Sequence, residues 1–222
     1  MPTVLRGFTV LLTLSLLSFR AAAEDYSVAP VEAPPEGAKA DIGQALATPG
    51  LKVTGPDGPL CSVWFAKAPA LQEGFSPTLS AKQPFAQGAF MGLLKVEEGT
   101  EFTDFREQAL RPGLYTLRYA RQPQDGNHIG TSDLADFLLV VPAKADESPK
   151  TADALDQFVG LAADAAGSTH PAILALRPAE KAQPGEATLV HDSGDDLWML
   201  EAVLGTDMPQ PLRLVVVGFA LE

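Results

Sequence analysis

The feature that most constrains the fold of this chain is a series of short apolar runs separated by turn residues. Nineteen glycines and nineteen prolines punctuate its 222 residues. The runs are rich in β-branched and aromatic residues, which favours strands. The clearest are LCSVWFA at 60–66, LYTLRYAR at 114–121, FLLVV at 137–141 and LRLVVVGFAL at 212–221. About nine such strands predict an all-β domain built as a two-sheet sandwich.

The second of these runs gives the predicted sandwich a more specific character. A proline-glycine turn at 111–113 leads into it, and Tyr115 and Tyr119 fall on one of its faces. This arrangement is frequent in immunoglobulin-like sandwiches. Thr116 and Arg118 fall on the opposite face, which we expect to meet solvent. The sequence therefore predicts an immunoglobulin-like β-sandwich.

One segment departs from the strand pattern and predicts a helix. Ser148-Pro149 can open it, with serine as the cap and proline in the first turn. Apolar residues recur at helical spacing over 155–162, and Gly167 is a natural stop. We therefore expect one helix near 149–166, packed on a sandwich domain that covers 51–222.

A small outer-membrane barrel is the main competing all-β architecture. Such barrels alternate lipid-facing apolar residues with polar ones and carry aromatic girdles at both interfaces. The runs at 137–141 and 212–221 do not alternate, and prolines interrupt the chain throughout. These features favour the sandwich.

The amino terminus predicts that the protein is exported. Arg6 precedes an apolar stretch at 8–19, and three alanines end at Ala23, a pattern typical of secretory signal peptides. The stretch is too short to span a bilayer as a retained helix. We expect a signal peptide at 1–23, cleavage near Ala23, and a mature chain in the periplasm or outside the cell, with no integral membrane span. A Pro/acid-rich flexible tether at 24–50 should follow.

Charge and cysteine content exclude several classes of partner and fold. The chain carries 16 Lys and Arg against 28 Asp and Glu, a net charge of −12, with no basic stripe. A nucleic acid would be repelled, so we expect a protein or a small ligand as partner. Cys61 is the single cysteine, which excludes an intramolecular disulfide, and its apolar neighbours predict a buried side chain.

One loop has an unusual composition. Residues 122–130 contain Asn127, the only asparagine of the chain, placed between a glycine and His128. Asparagine tolerates a left-handed backbone and can fix a turn. The loop therefore either needs that geometry or presents His128 to a ligand. We expect Asp125, Asn127 and His128 to form a binding loop at one end of the sandwich, with 168–171 beside it.

The function classes can be ordered by the motifs that the chain lacks. It contains no GxSxG elbow, Walker loop, HExxH or CxxC motif. We therefore expect a non-catalytic binding or interaction domain. One alternative is a metal-binding protein in which His128, His170 and His191 hold copper or zinc, since imidazole suits both ions. A second is a hydrolase with an unrecognised site, which needs a pocket holding a histidine or two carboxylates.

Five stretches of the chain carry a resemblance to other sequences. They are LCSVWFAK (60–67), FMGLLKV (90–96), DFREQALRPGLYTLRYARQPQDGNHIG (104–130), DFLLVVPAKADESP (136–149) and GSTHPAILAL (167–176). Together they resemble a group of uncharacterised bacterial secreted proteins. The resemblance implies an exported domain in which the segments DGNHIG and STHPA belong to one unit. It implies no catalytic residue, because no activity is assigned to the group.

Overall fold

The computed structural model describes residues 26–122, 135–179, 186–205 and 207–219. These residues form twelve strands and two helices. In chain order the elements are β1 (Ser27–Val31), α1 (Ala40–Ala45), β2 (Gly50–Gly55), β3 (Gly58–Phe65), β4 (Phe90–Val96), β5 (Phe102–Thr103), β6 (Ala109–Leu110), β7 (Gly113–Arg121), β8 (Asp136–Pro142), α2 (Leu155–Ala166), β9 (Ile173–Arg177), β10 (Thr188–Asp192), β11 (Leu197–Leu204) and β12 (Gln210–Val217).

Ten of these strands form one antiparallel sheet. Their order across the sheet is β1-β2-β3-β4-β7-β8-β9-β12-β11-β10, and β5 and β6 pair separately. The sheet curls until its outer strands, β1 and β10, contact each other, so its shape is nearly barrel-like. At this seam the ring of Tyr26, just ahead of β1, lies 5.0 Å from the ring of Trp198 on β11.

The predicted all-β class and its packed helix are confirmed, whereas the immunoglobulin-like sandwich is not. The difference arises at β9, which has partners on both sides. Its first residues, from Ile173 to Ala175, pair with β8, and its last two, Leu176 and Arg177, pair with β12. Because β9 bonds to both neighbours, the two groups of strands are continuous instead of facing each other as separate sheets.

The largest apolar cluster lies inside the curl of the sheet. It takes inward-facing residues from most strands, among them Leu117, Leu138 and Leu214. Cys61 belongs to it and is fully buried, as predicted. Burial raises the pKa of the Cys61 thiol far above its ordinary value, and the charge of Glu97 acts in the same direction. The cysteine is therefore a packing residue held as the neutral thiol.

The two helices cover part of the outer face of the sheet. Helix α2 packs Phe158 and Ala162 against β8 and its neighbours. Helix α1 packs Ile42 into a separate cluster with Trp64 of β3. The strands beneath the helices are thus buried on both faces, which explains why the run at 137–141 is apolar without alternation.

The outer face of β7 is buried, and the prediction that Thr116 and Arg118 meet solvent is wrong. Their relative exposures are 0% and 1%. Arg118 Nε and Nη2 donate to the two carboxylate oxygens of Asp146, each at 2.7 Å. The Thr116 hydroxyl donates to Asp146 Oδ2 at 2.6 Å. An arginine becomes tolerable in such a place only because a carboxylate is buried with it.

The remaining donors of Arg118 are also satisfied. They reach the backbone carbonyls of Gly88, Ser148 and Lys150. An arginine has five N–H groups, and these three bonds together with the two to Asp146 give each of the five an acceptor. The guanidinium carbon also lies 5.4 Å from the ring centre of Phe90 and 5.1 Å from that of Phe158.

These contacts explain why helix α2 starts later than predicted. It begins at Leu155 and ends before Gly167, which adopts the left-handed conformation expected of a helix stop. The predicted start fails because the carbonyls of Ser148 and Lys150 accept hydrogen bonds from Arg118. A carbonyl directed at a buried side chain is not directed at the N–H four residues later, which it would have to bond in a helix.

The segment predicted as a flexible tether over 24–50 is ordered from Tyr26 onward, so that prediction is wrong for these residues. Strand β1 pairs with β2 along its whole length. Helix α1 buries Ile42, and Leu46 directly after it is buried too. A few apolar side chains are enough to dock a segment whose composition is otherwise that of a linker.

Two predicted features lie outside the described residues. They are the signal peptide at 1–23 and the binding loop with Asp125, Asn127 and His128. Among the helices that the structure describes, none is long and apolar enough to cross a membrane.

Candidate functional site

A cleft of about 820 Å³ lies at the end of the sheet where β7 finishes and β8 starts. Its walls include residues 78–81, the strand-end residues Arg121, Gln122 and Ala135, and Leu155 at the start of α2. The volume is within the range of small-molecule sites in proteins. We call this the β7–β8 cleft.

One wall of the cleft belongs to a long loop, residues 66–89, between β3 and β4. The loop forms no helix or strand, and its bridges are isolated ones, such as Leu71 with Phe85. Irregular loops of this length are uncommon inside compact domains and usually have a function. This loop therefore needs an explanation beyond the connection of two strands.

A buried polar network fixes the loop to the strand ends. Asp136, at the start of β8, is 3% exposed. Its Oδ2 accepts from the backbone N–H groups of Lys82 and Gln83 at 2.5 and 3.1 Å, and its Oδ1 accepts from the Tyr119 hydroxyl at 2.5 Å. Burial, with the hydrogen bond and charge of Asp136, raises the pKa of Tyr119. The phenol thus stays protonated and remains a donor; we call this set the Tyr119–Asp136 network.

Arg121 connects this network to the cleft. Its Nε donates to the Tyr119 hydroxyl oxygen at 2.7 Å, and its terminal nitrogens donate to the Gln72 side chain at 2.8 Å and the Gln83 carbonyl at 2.9 Å. The guanidinium carbon lies 4.9 Å from the ring centre of Phe75. These contacts leave one N–H of Nη1 without a partner among the described residues, and the side chain lines the cleft.

The cleft combines apolar surface with a few polar groups. Leu79 is 93% exposed, which is unusual for a large apolar side chain. Hydroxyl and amide groups come from Thr78, Ser80 and Gln87, and Arg121 supplies a positive charge. None of the described residues that line the cleft is a histidine or a carboxylate. The described lining suits a small molecule with an apolar body and a polar or negative head.

Residues 168–171, which were predicted to lie beside the loop at 122–130, are distant along β8 from Gln122 and Ala135, the described residues next to that loop. Residues 168–171 come just before β9, which runs antiparallel to β8 with Ile173 opposite Leu139. Strand β8 begins at Asp136, beside the cleft. Residues 168–171 therefore lie toward its far end. Residues 123–130 lie outside the described part of the chain, so the expectation that the two segments share a surface stays a prediction.

The predicted histidine metal site stays a prediction, because His128 lies outside the described residues. His170 is in an exposed turn after α2, and His191 is on β10, separated from β9 by β12 and β11. The Nε2 atom of His191 lies 2.9 Å from Asp196 Oδ1, and its ring stacks on Trp198 with centroids 4.4 Å apart. Over the described ranges, no group of three His, Cys, Asp or Glu side chains could hold a metal ion.

Several residues of this site carried little signal in the sequence. Arg121 and Asp136 stand at strand ends, where charged residues are common. The available signal was the long irregular stretch between the strands at 60–66 and 90–96, which a simple hairpin would not need.

Comparison with protein-family models, with curated proteins and with solved structures finds no match to this chain. The resemblance to bacterial secreted proteins therefore stays a prediction.

Proposed function

We propose that this chain is an exported, non-catalytic domain that binds a small ligand in the β7–β8 cleft. The observation that carries the proposal is an ordered loop, residues 66–89, which forms one wall of a cleft of about 820 Å³. The ligand class that suits this cleft is a small molecule with an apolar body and a polar or negative head.

The cost of ordering the loop supports a binding role. Strands β3 and β4 are antiparallel neighbours in the sheet, so a short hairpin turn would be enough to connect them. The chain instead orders residues 66–89 and buries Asp136 and Tyr119 to hold them. Such buried networks are expensive unless every member is satisfied. The need for a binding surface is a physical reason to maintain such a network.

The chemistry of the lining supports the ligand class. Arg121 is the one cation among the described lining residues, in a chain with a net charge of −12. Its position is fixed by Tyr119 and Gln72 before any ligand arrives, which reduces the entropy lost on binding. Leu79 and Leu155 offer an apolar surface to the rest of the ligand.

A fluorescent probe with the same chemistry tests the proposal. Anilinonaphthalene sulfonate combines aromatic rings with a negative sulfonate, and we expect it to bind saturably with a rise in fluorescence. Leu79→Ser should weaken this binding by about fivefold to tenfold, because it removes apolar contact area. The same variant should unfold like the parent, since Leu79 is almost fully exposed.

Met208→Ser is the matched control. Met208 is another exposed large apolar residue, at 61%, and it lies outside the cleft lining. If both serine variants change probe binding equally, or if the folded parent does not bind the probe saturably, the cleft is not the binding site.

Export is tested separately from binding. The support for it is the sequence of residues 1–23, with its apolar stretch and final alanines. Expression of the full chain in a bacterium with two membranes should give a periplasmic or secreted product whose amino terminus is Glu24. An intact cytoplasmic product would contradict export and leave the binding proposal to its own test.

A further inference from the structure

A second cleft, of about 670 Å³, lies toward the other end of β7 and β8. Its walls include the start of β7, the end of β8 and the last turn of α2, and its lining also contains Lys39, Arg111 and Lys144. We propose that this basic cleft binds a small multivalent oxyanion, a phosphate or a dicarboxylate, through these three cations.

The distribution of charge is the first argument. The chain has only 16 Lys and Arg against 28 Asp and Glu. Three of these cations nevertheless line one cleft, and Asp164 is the single acid among its described lining residues. Like charges brought together repel each other unless a counter-ion joins them. In so acidic a chain the grouping marks a place suited to an anion.

The pairing of these cations is the second argument. Lys39 Nζ lies 2.9 Å from a carboxylate oxygen of Glu147, and both side chains are more than half exposed. Across the described residues, Arg111 and Lys144 form no ion pair with any acid. Two unpaired cations are therefore available to an incoming anion, and the Lys39–Glu147 pair is exposed enough to exchange partners.

The backbone that carries Arg111 is fixed in place. The hydroxyl of Tyr115, which is buried, donates to the Arg111 carbonyl at 2.7 Å. Burial raises the pKa of Tyr115, whereas the charge of Arg111 acts in the opposite direction, so the phenol stays protonated as the donor of this bond. The backbone at Arg111 is therefore held at the cleft before an anion arrives, which reduces the conformational freedom lost on binding.

The competing explanation is that the cations serve the helix. Helix α2 has no basic residue in its last turn, and Ala165 and Ala166 of that turn line the cleft. Cations near a helix carboxyl terminus stabilise its dipole. If this is their only role, Arg111 and Lys144 support folding without any response to anions.

The test is a titration of the full chain with inorganic phosphate and, separately, with succinate. Sodium chloride keeps the ionic strength constant, because any salt relieves repulsion in an acidic protein. We expect saturable shifts of the Gly113 and Gly167 amide signals by nuclear magnetic resonance. Tighter phosphate binding indicates a phosphorylated ligand, and tighter succinate binding indicates a dicarboxylate; both support the site.

Three variants make the test specific. Arg111→Gln and Lys144→Gln should each weaken anion binding by about tenfold, since each removes a charge-assisted contact. Both residues are exposed, so we expect native circular dichroism. Lys82→Gln makes the same charge change at the other end of β8, where the Lys82 backbone bonds to Asp136, and should leave binding unchanged.

Three results would overturn the proposal. One is that phosphate and succinate cause no saturable shift of the amide signals beyond the shift that sodium chloride causes at the same ionic strength. Another is equal weakening by Lys82→Gln and Lys144→Gln, which would indicate general charge effects. The third is a loss of thermal stability in Arg111→Gln with an unchanged anion response, which would assign the cations to the helix alone. None of these results bears on the β7–β8 cleft, which the dye titration tests independently.

Discussion

Arg118 and Arg121 lie three residues apart on the same strand, β7, yet they play different parts. Arg118 is on the outer face, with a side-chain exposure of 1%, and its five N–H groups all reach protein acceptors. Arg121 is at the strand end, with an exposure of 18%, and one N–H has no described partner. The first is a structural link, and the second is a fixed cation that can still meet a ligand.

The role of a charged side chain therefore depends more on its surroundings than on the type of residue that carries the charge. Arg118 has a buried carboxylate of its own in Asp146, and together they tie the segment before α2 to the sheet. Arg121 shares its carboxylate, Asp136, with Tyr119 and two backbone N–H groups, and approaches it only to 3.6 Å. A fully satisfied group has nothing left to offer, whereas a partly satisfied one at a cleft does.

The largest expected effect follows from removal of the Arg118 charge. Arg118→Met should lower the free energy of unfolding by about 3–5 kcal/mol, because it leaves Asp146 buried without a partner. Urea unfolding measures this loss. The double variant Arg118→Met with Asp146→Leu should recover a large part of the stability. If the single variant costs less than about 1 kcal/mol, the pair behaves as an exposed one and the contrast with Arg121 fails.

The next effect tests the network beside the cleft. Tyr119→Phe should cost about 1–3 kcal/mol, because Asp136 and Arg121 lose a buried partner. It should also speed hydrogen exchange at the Lys82 amide and weaken binding of the fluorescent probe. Tyr115→Phe is the control, since it removes a hydroxyl bonded to a carbonyl toward the other end of β7. That control should lose stability but keep probe binding.

Arg121→Gln separates binding from stability. We expect a loss of about 1 kcal/mol in the free energy of unfolding, because the side chain is partly exposed and Asp136 keeps its other hydrogen bonds. Probe binding should weaken by about tenfold through loss of the charge that meets the sulfonate. Equal probe affinity in variant and parent would remove Arg121 from the site.

The smallest effect comes from the partly exposed Lys95–Glu97 ion pair, which serves as a reference for both arginines. Burial acts to raise the pKa of Glu97, but hydrogen bonds from Lys95 and Ser62, with the charges of Lys95 and Lys52, lower it from its ordinary 4.5. The stabilisation is therefore present above that pH and lost as the pH falls below it. We expect at most about 1 kcal/mol, absent in Glu97→Gln, from unfolding curves compared between pH 7 and pH 3.

Local sequence patterns predicted many elements well. The runs at 60–66, 114–121 and 137–141 form strands, and Gly167 ends the helix as expected. These features depend on residue type and spacing within a short window. The burial of the two faces of β7 was harder to predict, because the sequence does not show that Asp146 is buried beside Arg118.

The arrangement of the strands and the cleft could not be predicted in the same way. Whether β9 bonds to β8 alone or to β12 as well depends on contacts between residues far apart in the chain. The predicted binding surface was centred on 122–130, and the described cleft adjoins the flanks of that loop at Gln122 and Ala135. The opposite wall, residues 66–89, has no periodic pattern that indicates its position.

The contact between β1 and β10 has a consequence for how the protein reaches its native state. These strands stand near opposite ends of the chain, and Tyr26 meets Trp198 only when both have been synthesised. Contacts between residues so distant along the polypeptide are slow to form, because a long loop must close first. During synthesis from the amino terminus, the apolar interior of the sheet stays exposed until the last strands, β10 to β12, have been made. Protection by chaperones therefore matters most during that interval.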